Sequence, residues 1–311
     1  MKRFLAGSGL LAIVLGLLVA GCTGYNPAAK GPVVVSSKID TEGGLLAQVI
    51  IQMLRDKGFQ VTDKSQLGPT QVVRQAIISG EIDIYPEYTG NGAFFFNEAD
   101  SAVWKDARLG YERVKVLDRQ SNNIIWLQPA PANNTWAIAV PKALAQKENL
   151  KTLENLAAYV NRGGNIKMAA SEEFVSSPAA LPAFQKAYGF TLKQDQLLTL
   201  SGGNTALTEK AAAEGASGVN AAMAYGTDGS LAALGLVVLD DPRGVQPVYE
   251  PAPIVRSAIY EKYPELAGIL NPVFETLTLQ TLQDLNAKIA VQGQDAAAVA
   301  RNYLVGKGFL K

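Results

Sequence analysis

One run of residues combines aromatic rings with a carboxylate at the end of a predicted strand. The segment 80–92 reads Gly-Glu-Ile-Asp-Ile-Tyr-Pro-Glu-Tyr-Thr-Gly-Asn-Gly, and its β-branched strand is predicted to break at Pro86 into a loop that carries Glu87 and Tyr88. Loops at strand ends can present side chains to a ligand while the sheet behind them stays rigid. Rings beside a carboxylate suit a cation, but an ordinary surface turn with packing tyrosines would use the same residues. The spacing alone leaves both interpretations open.

The run at 80–92 and four further segments, spread along the chain, resemble a single known protein family. The four further segments are Ser36-Ser37-Lys38 with the nearby Thr41-Glu42, Asn133-Asn134-Thr135-Trp136-Ala137, Ala224-Tyr225-Gly226-Thr227-Asp228-Gly229 and Val248-Tyr249-Glu250-Pro251-Ala252-Pro253. They resemble the signature loops of solute-binding proteins that serve quaternary-amine (glycine betaine or choline) osmoprotectant ABC importers, close to the osmotically inducible periplasmic betaine-binding type. The resemblance covers essentially the whole mature chain. It implies an α/β, two-lobed periplasmic-binding-protein fold of type II, with the ligand cleft between the lobes.

In this family a cage of aromatic rings holds the trimethylammonium head of the solute, and the resemblance places that cage at Tyr88, Trp136, Tyr225 and Tyr249. Trp136 stands where tyrosine is common, and it keeps the chemistry because indole is the strongest common π face for a cation. A quaternary ammonium has no N–H donor, so ring faces can desolvate it without leaving hydrogen bonds unmade. An isolated ring is more readily explained by core packing. Four rings at matched loop positions favour the cage.

The resemblance also implies a polar clamp for the carboxylate of the ligand, at Lys38 and Asn91, with Asn134 behind them. Each of these could equally be a solvated or turn-capping side chain. The arginine usual in this clamp is missing, and Ser177 aligns with its position. Because a bidentate guanidinium binds carboxylates strongly, its loss predicts weak binding of glycine betaine or a preference for a quaternary amine without a carboxylate.

Composition excludes several classes of function. The chain has 311 residues, 48% of them hydrophobic and 18% charged, which is enough for two lobes with their own cores. Lys plus Arg equals Asp plus Glu at 28 each, so no net charge favours nucleic acid. Histidine is absent and Cys22 is the only cysteine, which removes His-dependent triads and thiol or imidazole metal sites. We therefore expect no metal, no cofactor and no catalytic residue.

The N-terminus is typical of an exported lipoprotein. Met1-Lys2-Arg3 precedes an apolar stretch from Phe4 to Val19 that is short for a membrane span, and Val19-Ala20-Gly21-Cys22 resembles a lipobox. We expect residues 1–21 to be a signal peptide and residues 22–32 to be a lipidated cysteine with a flexible tether. Conventional cleavage nearby, which would give a free periplasmic protein, is the alternative. Either way the protein belongs in the periplasm or on the outer face of the cytoplasmic membrane.

Strands and helices are predicted to alternate along the rest of the chain, which indicates α/β layers with a central, largely parallel sheet. Residues 33–137 and 240–311 are expected to form lobe 1, and residues 138–239 lobe 2. A helix is expected from Glu42 to Lys57, and another from Pro178 with Ser177 as its N-cap. The C-terminal helices are expected to pack on lobe 1.

Three functions remain open. The first is a monomeric, non-enzymatic capture protein that closes around a quaternary amine and delivers it to a permease driven by a separate ATPase. The second is an exported hydrolase that uses a carboxylate pair, with the candidates Asp83, Glu87, Glu172 and Glu173. The third, an adhesion or scaffold lipoprotein, leaves the aromatic positions unexplained.

Overall fold

The computed structural model describes residues 30–201 and 204–311. The predicted signal peptide, the lipidated Cys22 and most of the predicted tether lie outside these residues. The first strand begins at Lys30, ahead of the predicted start at Val33, and the Lys30 amide donates to the Gly58 carbonyl at 3.0 Å. None of the helices in the described part of the chain has the length and apolar character needed to cross a bilayer.

The strands of the described residues are β1 (Lys30–Lys38), β2 (Phe59–Gly68), β3 (Ile84–Tyr88), β4 (Ile124–Trp126), β5 (Trp136–Pro141), β6 (Met168–Ser171), β7 (Leu197–Leu200), β8 (Ala221–Tyr225), β9 (Leu236–Val238) and β10 (Pro251–Arg256). The α-helices are α1 (Thr41–Asp56), α2 (Thr70–Ser79), α3 (Gly92–Phe95), α4 (Ala107–Asn122), α5 (Lys142–Glu148), α6 (Leu153–Asn161), α7 (Glu172–Ser176), α8 (Leu181–Tyr188), α9 (Thr205–Glu214), α10 (Ser230–Ala233), α11 (Ser257–Lys262), α12 (Leu266–Phe274), α13 (Leu279–Ala290) and α14 (Ala296–Gly306).

The strands form two sheets, in the orders β2-β1-β3-β10-β4 and β7-β6-β8-β5-β9. The chain leaves the first sheet through residues 127–135, the first crossing segment, and returns through residues 239–250, the second crossing segment. This arrangement confirms the predicted two-lobed α/β fold. The predicted domain boundaries stay a prediction.

The sheets are mixed, so the expectation of a largely parallel sheet is wrong. β1 pairs in parallel with β2 and β3, because helical connections join these strands. β10 returns from the other sheet and pairs antiparallel with β3 and β4. In the second sheet β6 is parallel to β7 and β8, whereas β5 is antiparallel to β8 and β9.

Helix α1 shows why the helical pattern was readable. The Asp40 side chain caps it by accepting from the Gly43 amide at 2.7 Å. The apolar residues of its predicted inner face are buried between the first sheet and the C-terminal helices: Leu45, Leu46, Val49, Ile50, Met53 and Leu54. The predicted packing of the C-terminal helices on the first lobe is thereby confirmed.

Two local predictions were wrong, both at prolines. Pro86 does not break its strand, because β3 runs through it to Tyr88 and pairs Pro86 with Pro253 of β10. Ser177 is not an N-cap. It follows the short helix α7, and the next helix begins only at Leu181, with a proline in its first turn.

Candidate functional site

The carboxylate of Glu87, at the end of β3, organises one side of the site. It is completely buried, and its Oε1 accepts from Lys38 Nζ at 2.6 Å, the Tyr88 amide at 2.7 Å and Asn91 Nδ2 at 2.7 Å. Its Oε2 accepts from the Tyr85 hydroxyl at 2.8 Å. The two residues predicted to clamp a ligand carboxylate, Lys38 and Asn91, are thus both bound to a carboxylate of the protein itself.

Lys38 also lies over the ring of Tyr88, with Nζ 4.7 Å from the ring centroid. This is the distance of a cation–π contact. A cation of the protein therefore already stands at the first predicted cage ring. Burial raises the pKa of Tyr88 well above its usual range, and the nearby charge of Glu42 adds to the shift.

A second buried carboxylate, that of Glu42 near the start of α1, accepts a hydrogen bond from the Tyr88 hydroxyl. Its Oε1 accepts from Tyr88 at 2.8 Å and from Asn134 Nδ2 at 3.1 Å, and its Oε2 accepts from Asn286 Nδ2 at 2.8 Å. Asn134 belongs to the first crossing segment and Asn286 to α13. The third predicted polar residue, Asn134, thus reaches Glu42.

Two predicted cage residues are neighbours on adjacent strands of the second sheet. Trp136 at the start of β5 pairs with Tyr225 at the end of β8, which brings their side chains to one face of the sheet. The indole packs edge-on against Phe174, with ring centroids 6.0 Å apart. Its Nε1 is buried near the Tyr225 phenol but completes no hydrogen bond with described residues. Burial, chiefly, raises the pKa of Tyr225 far above its usual range.

Tyr249, in the second crossing segment, is held against the first crossing segment. Its amide donates to Asn133 Oδ1 at 2.8 Å, and its carbonyl accepts from the Asn134 amide at 2.9 Å. Its ring packs so closely on Gly90 that a Cβ there would lie 2.8 Å from it. Burial raises the pKa of Tyr249, and the charge of Glu173 adds to this increase as it does at Tyr225.

Each of the four predicted cage residues is linked to the first crossing segment by hydrogen bonds or follows it in the second sheet. Tyr88 reaches that segment through Glu42 and Asn134, Tyr249 is bonded directly to it, and Trp136 with Tyr225 follows it in the second sheet. Ser177, predicted at the position of the clamp arginine, lies half-buried at the end of α7.

The loop after Tyr225 docks on helix α13. Gln283 Nε2 donates to the Gly226 carbonyl at 2.9 Å, and Asn286 Nδ2 donates to the Thr227 carbonyl at 3.0 Å. Gly229 lies directly against the α13 backbone, where a Cβ would overlap the amide of Ala287. Helix α13 packs in the core of the first sheet, so this loop carries a contact between the two lobes.

Sequence reasoning assigned no role to Glu42, Gln283 or Asn286. Glu42 was part of a segment that resembles the family's first loop, without a role of its own. Gln283 and Asn286 are separated by three positions on α13, which places them on one helix face. That spacing was visible, but it did not reveal which loop the face would meet.

The carboxylates considered for a hydrolase have structural surroundings. Asp83 accepts from the Val34 amide at 2.8 Å and from Arg256 at 3.0 Å, and Glu87 has the four donors described above. Glu172 and Glu173 are exposed on α7. No second carboxylate faces Glu87 among the hydrogen bonds of the described residues.

Two mixed sheets joined by two chain crossings, with aromatic residues beside the crossings, define a two-lobed solute-binding protein. Residues 31–305 match the family described as the substrate-binding domain of ABC-type glycine betaine transport systems. The chain belongs to this family, whose members are extracytoplasmic solute-binding proteins and not enzymes. Such proteins bind a small solute and work with a membrane permease.

Known relatives agree with this assignment. The chain is 59% identical over 283 residues to the glycine betaine-binding protein YehZ of Escherichia coli, covering 91% of this chain and 93% of that protein. It is 31% identical over 298 residues to a glycine-betaine-binding protein of Pseudomonas aeruginosa, covering 93% and 92%. The structure of ligand-free YehZ matches with a TM-score of 0.74 over 90% of this chain and 100% of that chain.

Proposed function

We propose that the four rings of Tyr88, Trp136, Tyr225 and Tyr249 form a cage for the cationic head of a quaternary-amine osmoprotectant. The observation that carries this proposal is the link of each residue to the first crossing segment, with Trp136 and Tyr225 side by side on one sheet. A quaternary ammonium fits such a place because it needs no hydrogen-bond acceptor. The names of the relatives at 59% and 31% identity, both glycine betaine-binding proteins, support the same solute class.

The charges around the cage favour the cationic end of the solute over a carboxylate end. Glu87 and Glu42 are buried beside Tyr88, and Glu173 lies near enough to Tyr225 and Tyr249 to act on both through its charge. Lys38, the cation predicted to meet a ligand carboxylate, is paired with Glu87. We therefore expect choline, which has no carboxylate, to bind at least as tightly as glycine betaine.

The proposed affinity is modest. Each ring contact contributes roughly 0.5 to 2 kcal/mol, so four give about 2 to 8 kcal/mol before the losses of association. A micromolar dissociation constant requires about 8 kcal/mol net. Binding weaker than micromolar follows from these terms unless further contacts contribute.

Calorimetry with three matched probes tests the proposal. Choline, glycine betaine and 3,3-dimethylbutanol present the same three methyl groups, but dimethylbutanol carries a neutral carbon in place of the ammonium nitrogen. A cation–π cage binds the first two and releases little heat with the third. Equal binding of dimethylbutanol would instead indicate a merely apolar pocket, and the absence of binding by all three would reject the function.

A pair of variants locates the site. Trp136→Ala removes one ring and is expected to weaken choline binding about 2- to 30-fold, the range of one cation–π contact. Trp136→Phe keeps a ring and breaks no hydrogen bond, since Nε1 completes none with described residues. It should retain most of the affinity. Equal choline affinities of Trp136→Ala and the wild type would show that the binding site does not include Trp136.

For the cellular arrangement, we infer that Cys22 is lipidated after removal of residues 1–21, and that the segment between Cys22 and the start of β1 at Lys30 tethers a monomer to the membrane. Residues 33–137 with 240–311 and residues 138–239 are the lobes that close around the solute before a permease with its own ATPase receives it. Cys22→Ser should release the protein from the membrane fraction. Unchanged membrane retention would exclude the anchor.

A further inference from the structure

Glu42 occupies an unusual position, because its carboxylate is shared by three separate parts of the chain. It is 4% exposed and accepts from Tyr88 of β3, Asn134 of the first crossing segment and Asn286 of α13. One of these donors is a proposed cage ring. A single buried carboxylate thus connects the cage to the segment that joins the lobes.

The same contact extends to the second lobe. The amide group of Asn286 that donates to Glu42 at 2.8 Å also donates to the Thr227 carbonyl at 3.0 Å, two residues after Tyr225. A continuous chain of hydrogen bonds therefore runs from the hydroxyl of Tyr88 through Glu42 and Asn286 to the loop that follows Tyr225. It links two cage rings that lie in different sheets.

We propose that Glu42 is a proton-linked positioning residue, whose ionised carboxylate holds the Tyr88 ring and the Tyr225 loop in place for a cation and loses a proton when that cation binds. This inference rests on the proposed function. Glu42 acts through Tyr88, Asn134 and Asn286 and needs no contact with the solute.

The hydrogen bonds distinguish the two protonation states of Glu42. Asn134 and Asn286 present N–H groups, which can only donate, and Tyr88 donates its hydroxyl. An ionised carboxylate accepts all three. A neutral carboxyl has weaker acceptor oxygens, and its own O–H group competes with these donors for space and needs an acceptor. Protonation therefore loosens the connection between the cage and α13.

The surroundings bring this titration into the physiological range. Burial raises the pKa of Glu42 to about 7, the charge of Asp40 adds slightly, and the polar groups of Thr227, Tyr88 and Asn286 offset part of the increase. The first crossing segment, the Tyr225 loop and α13 face Glu42 with uncharged groups. β1 and β3 contribute the paired ammonium and carboxylate of Lys38 and Glu87 beyond the Tyr88 ring.

The direction of the linkage follows from charge. A cation in the cage stabilises the ionised form of Glu42, so binding lowers the pKa of Glu42 and releases protons near pH 7. Affinity must then rise as the pH increases through 7. A decrease of one pKa unit on binding corresponds to about tenfold tighter binding between the acidic and alkaline limits.

Titration calorimetry of the whole protein with choline tests the proposal at pH 6, 7 and 8. At pH 7 it is repeated in two buffers whose ionisation enthalpies differ, so that any released protons appear as a difference in heat. We expect proton release at pH 7 and up to about tenfold tighter binding at pH 8 than at pH 6. Equal heats in both buffers would overturn the assignment without any variant.

Two variants separate proton linkage from simple loss of charge. Glu42→Gln keeps the shape of the neutral side chain and should bind choline with little dependence on pH and without proton release. Glu173→Gln removes an exposed charge near Tyr225 and Tyr249. Glu173→Gln should weaken choline binding at each pH but leave the change of affinity with pH as in the wild type. A thermal melt confirms that both variants fold.

The outcomes separate the two proposals. If neither choline nor glycine betaine binds at any pH, the proposed function fails and the role of Glu42 fails with it. If choline binds but Glu42→Gln keeps the wild-type pH dependence and proton release, only the role of Glu42 is overturned.

Discussion

The ammonium nitrogen of Lys38 lies 4.7 Å from the centroid of the Tyr88 ring. The same nitrogen is 2.6 Å from Oε1 of Glu87, and both members of this ion pair are buried. The cation that stands at the ring is therefore held by a carboxylate that has no access to solvent. Lys38 therefore links the stability of the protein to the proposed cage.

Replacing Lys38 alone should be costly. Lys38→Met leaves the Glu87 carboxylate buried without its counter-ion, and breaking such a pair costs about 3 to 5 kcal/mol. Adding Glu87→Gln removes the orphaned charge while keeping an acceptor for Tyr88 and Asn91. We expect the double variant to recover much of the free energy of unfolding, measured in urea. Strictly additive losses would contradict an energetic coupling of the pair.

Gly229 should be intolerant of a methyl group. A Cβ there would overlap the backbone of α13 at Gln283 and Ala287, so Gly229→Ala should cost about 1 to 3 kcal/mol and weaken ligand binding by displacing the Tyr225 loop. Gly268→Ala is the matched control, since a Cβ at this helical position meets nothing within 4 Å. It should stabilise the protein by roughly 0.5 to 1 kcal/mol. Urea denaturation compares the two, and equal effects would exclude tight docking.

An arginine at position 177 should change the preference among solutes. Ser177→Arg supplies the guanidinium that the family resemblance leads us to expect, and a hydrogen bond to a charged group contributes about 1.5 to 3 kcal/mol. Glycine betaine should then bind about 10- to 100-fold more tightly, whereas choline, which has no carboxylate, should gain nothing. Calorimetry with both solutes measures the ratio. An equal gain for choline would show that the arginine does not act on the carboxylate.

The buried carboxyls Glu209 and Asp228 predict a loss of stability in alkali. Burial and the charge of Asp228 raise the pKa of Glu209 to about 9, above its value of 4.5 in the unfolded chain. The unfolded state thus releases this proton first, and stability declines from about pH 5 until both states are ionised above pH 9, with a slope of up to ~1.4 kcal/mol per pH unit.

Glu209→Gln isolates this contribution. It keeps an acceptor for the Ser230 hydroxyl, which donates to Glu209 in the native protein. Between pH 7 and pH 9 the unfolding free energy of the variant should depend less on pH than that of the wild type. Urea denaturation at each pH measures both. Parallel curves for variant and wild type would show that Glu209 ionises as readily in the folded state as in the unfolded chain.

Periodic and local signals predicted much of the fold. Helix α1 was readable because its own apolar spacing defines it: it runs over Thr41–Asp56, where a helix from Glu42 to Lys57 was expected. The direction of β10 was not readable. Whether a strand returning from another lobe pairs in parallel or antiparallel depends on where the chain crosses, which local composition does not encode.

The rings of the candidate site came from motif resemblance, but their supports did not. Glu42 and Asn286 are 244 positions apart in sequence, so no local pattern could pair them. The family resemblance assigned Lys38 to the ligand, while its partner Glu87 was expected in a loop after a strand-breaking proline. Once β3 continues through Pro86, Glu87 points into the protein and holds Lys38 itself.

Ser177 stands apart from this framework, at the end of α7 and without a hydrogen bond to Glu42 or Glu87. Its hydroxyl accepts only from the Ala179 amide, at 3.4 Å, among the described residues. A mutation at position 177 would therefore leave the hydrogen bonds of both buried carboxylates in place.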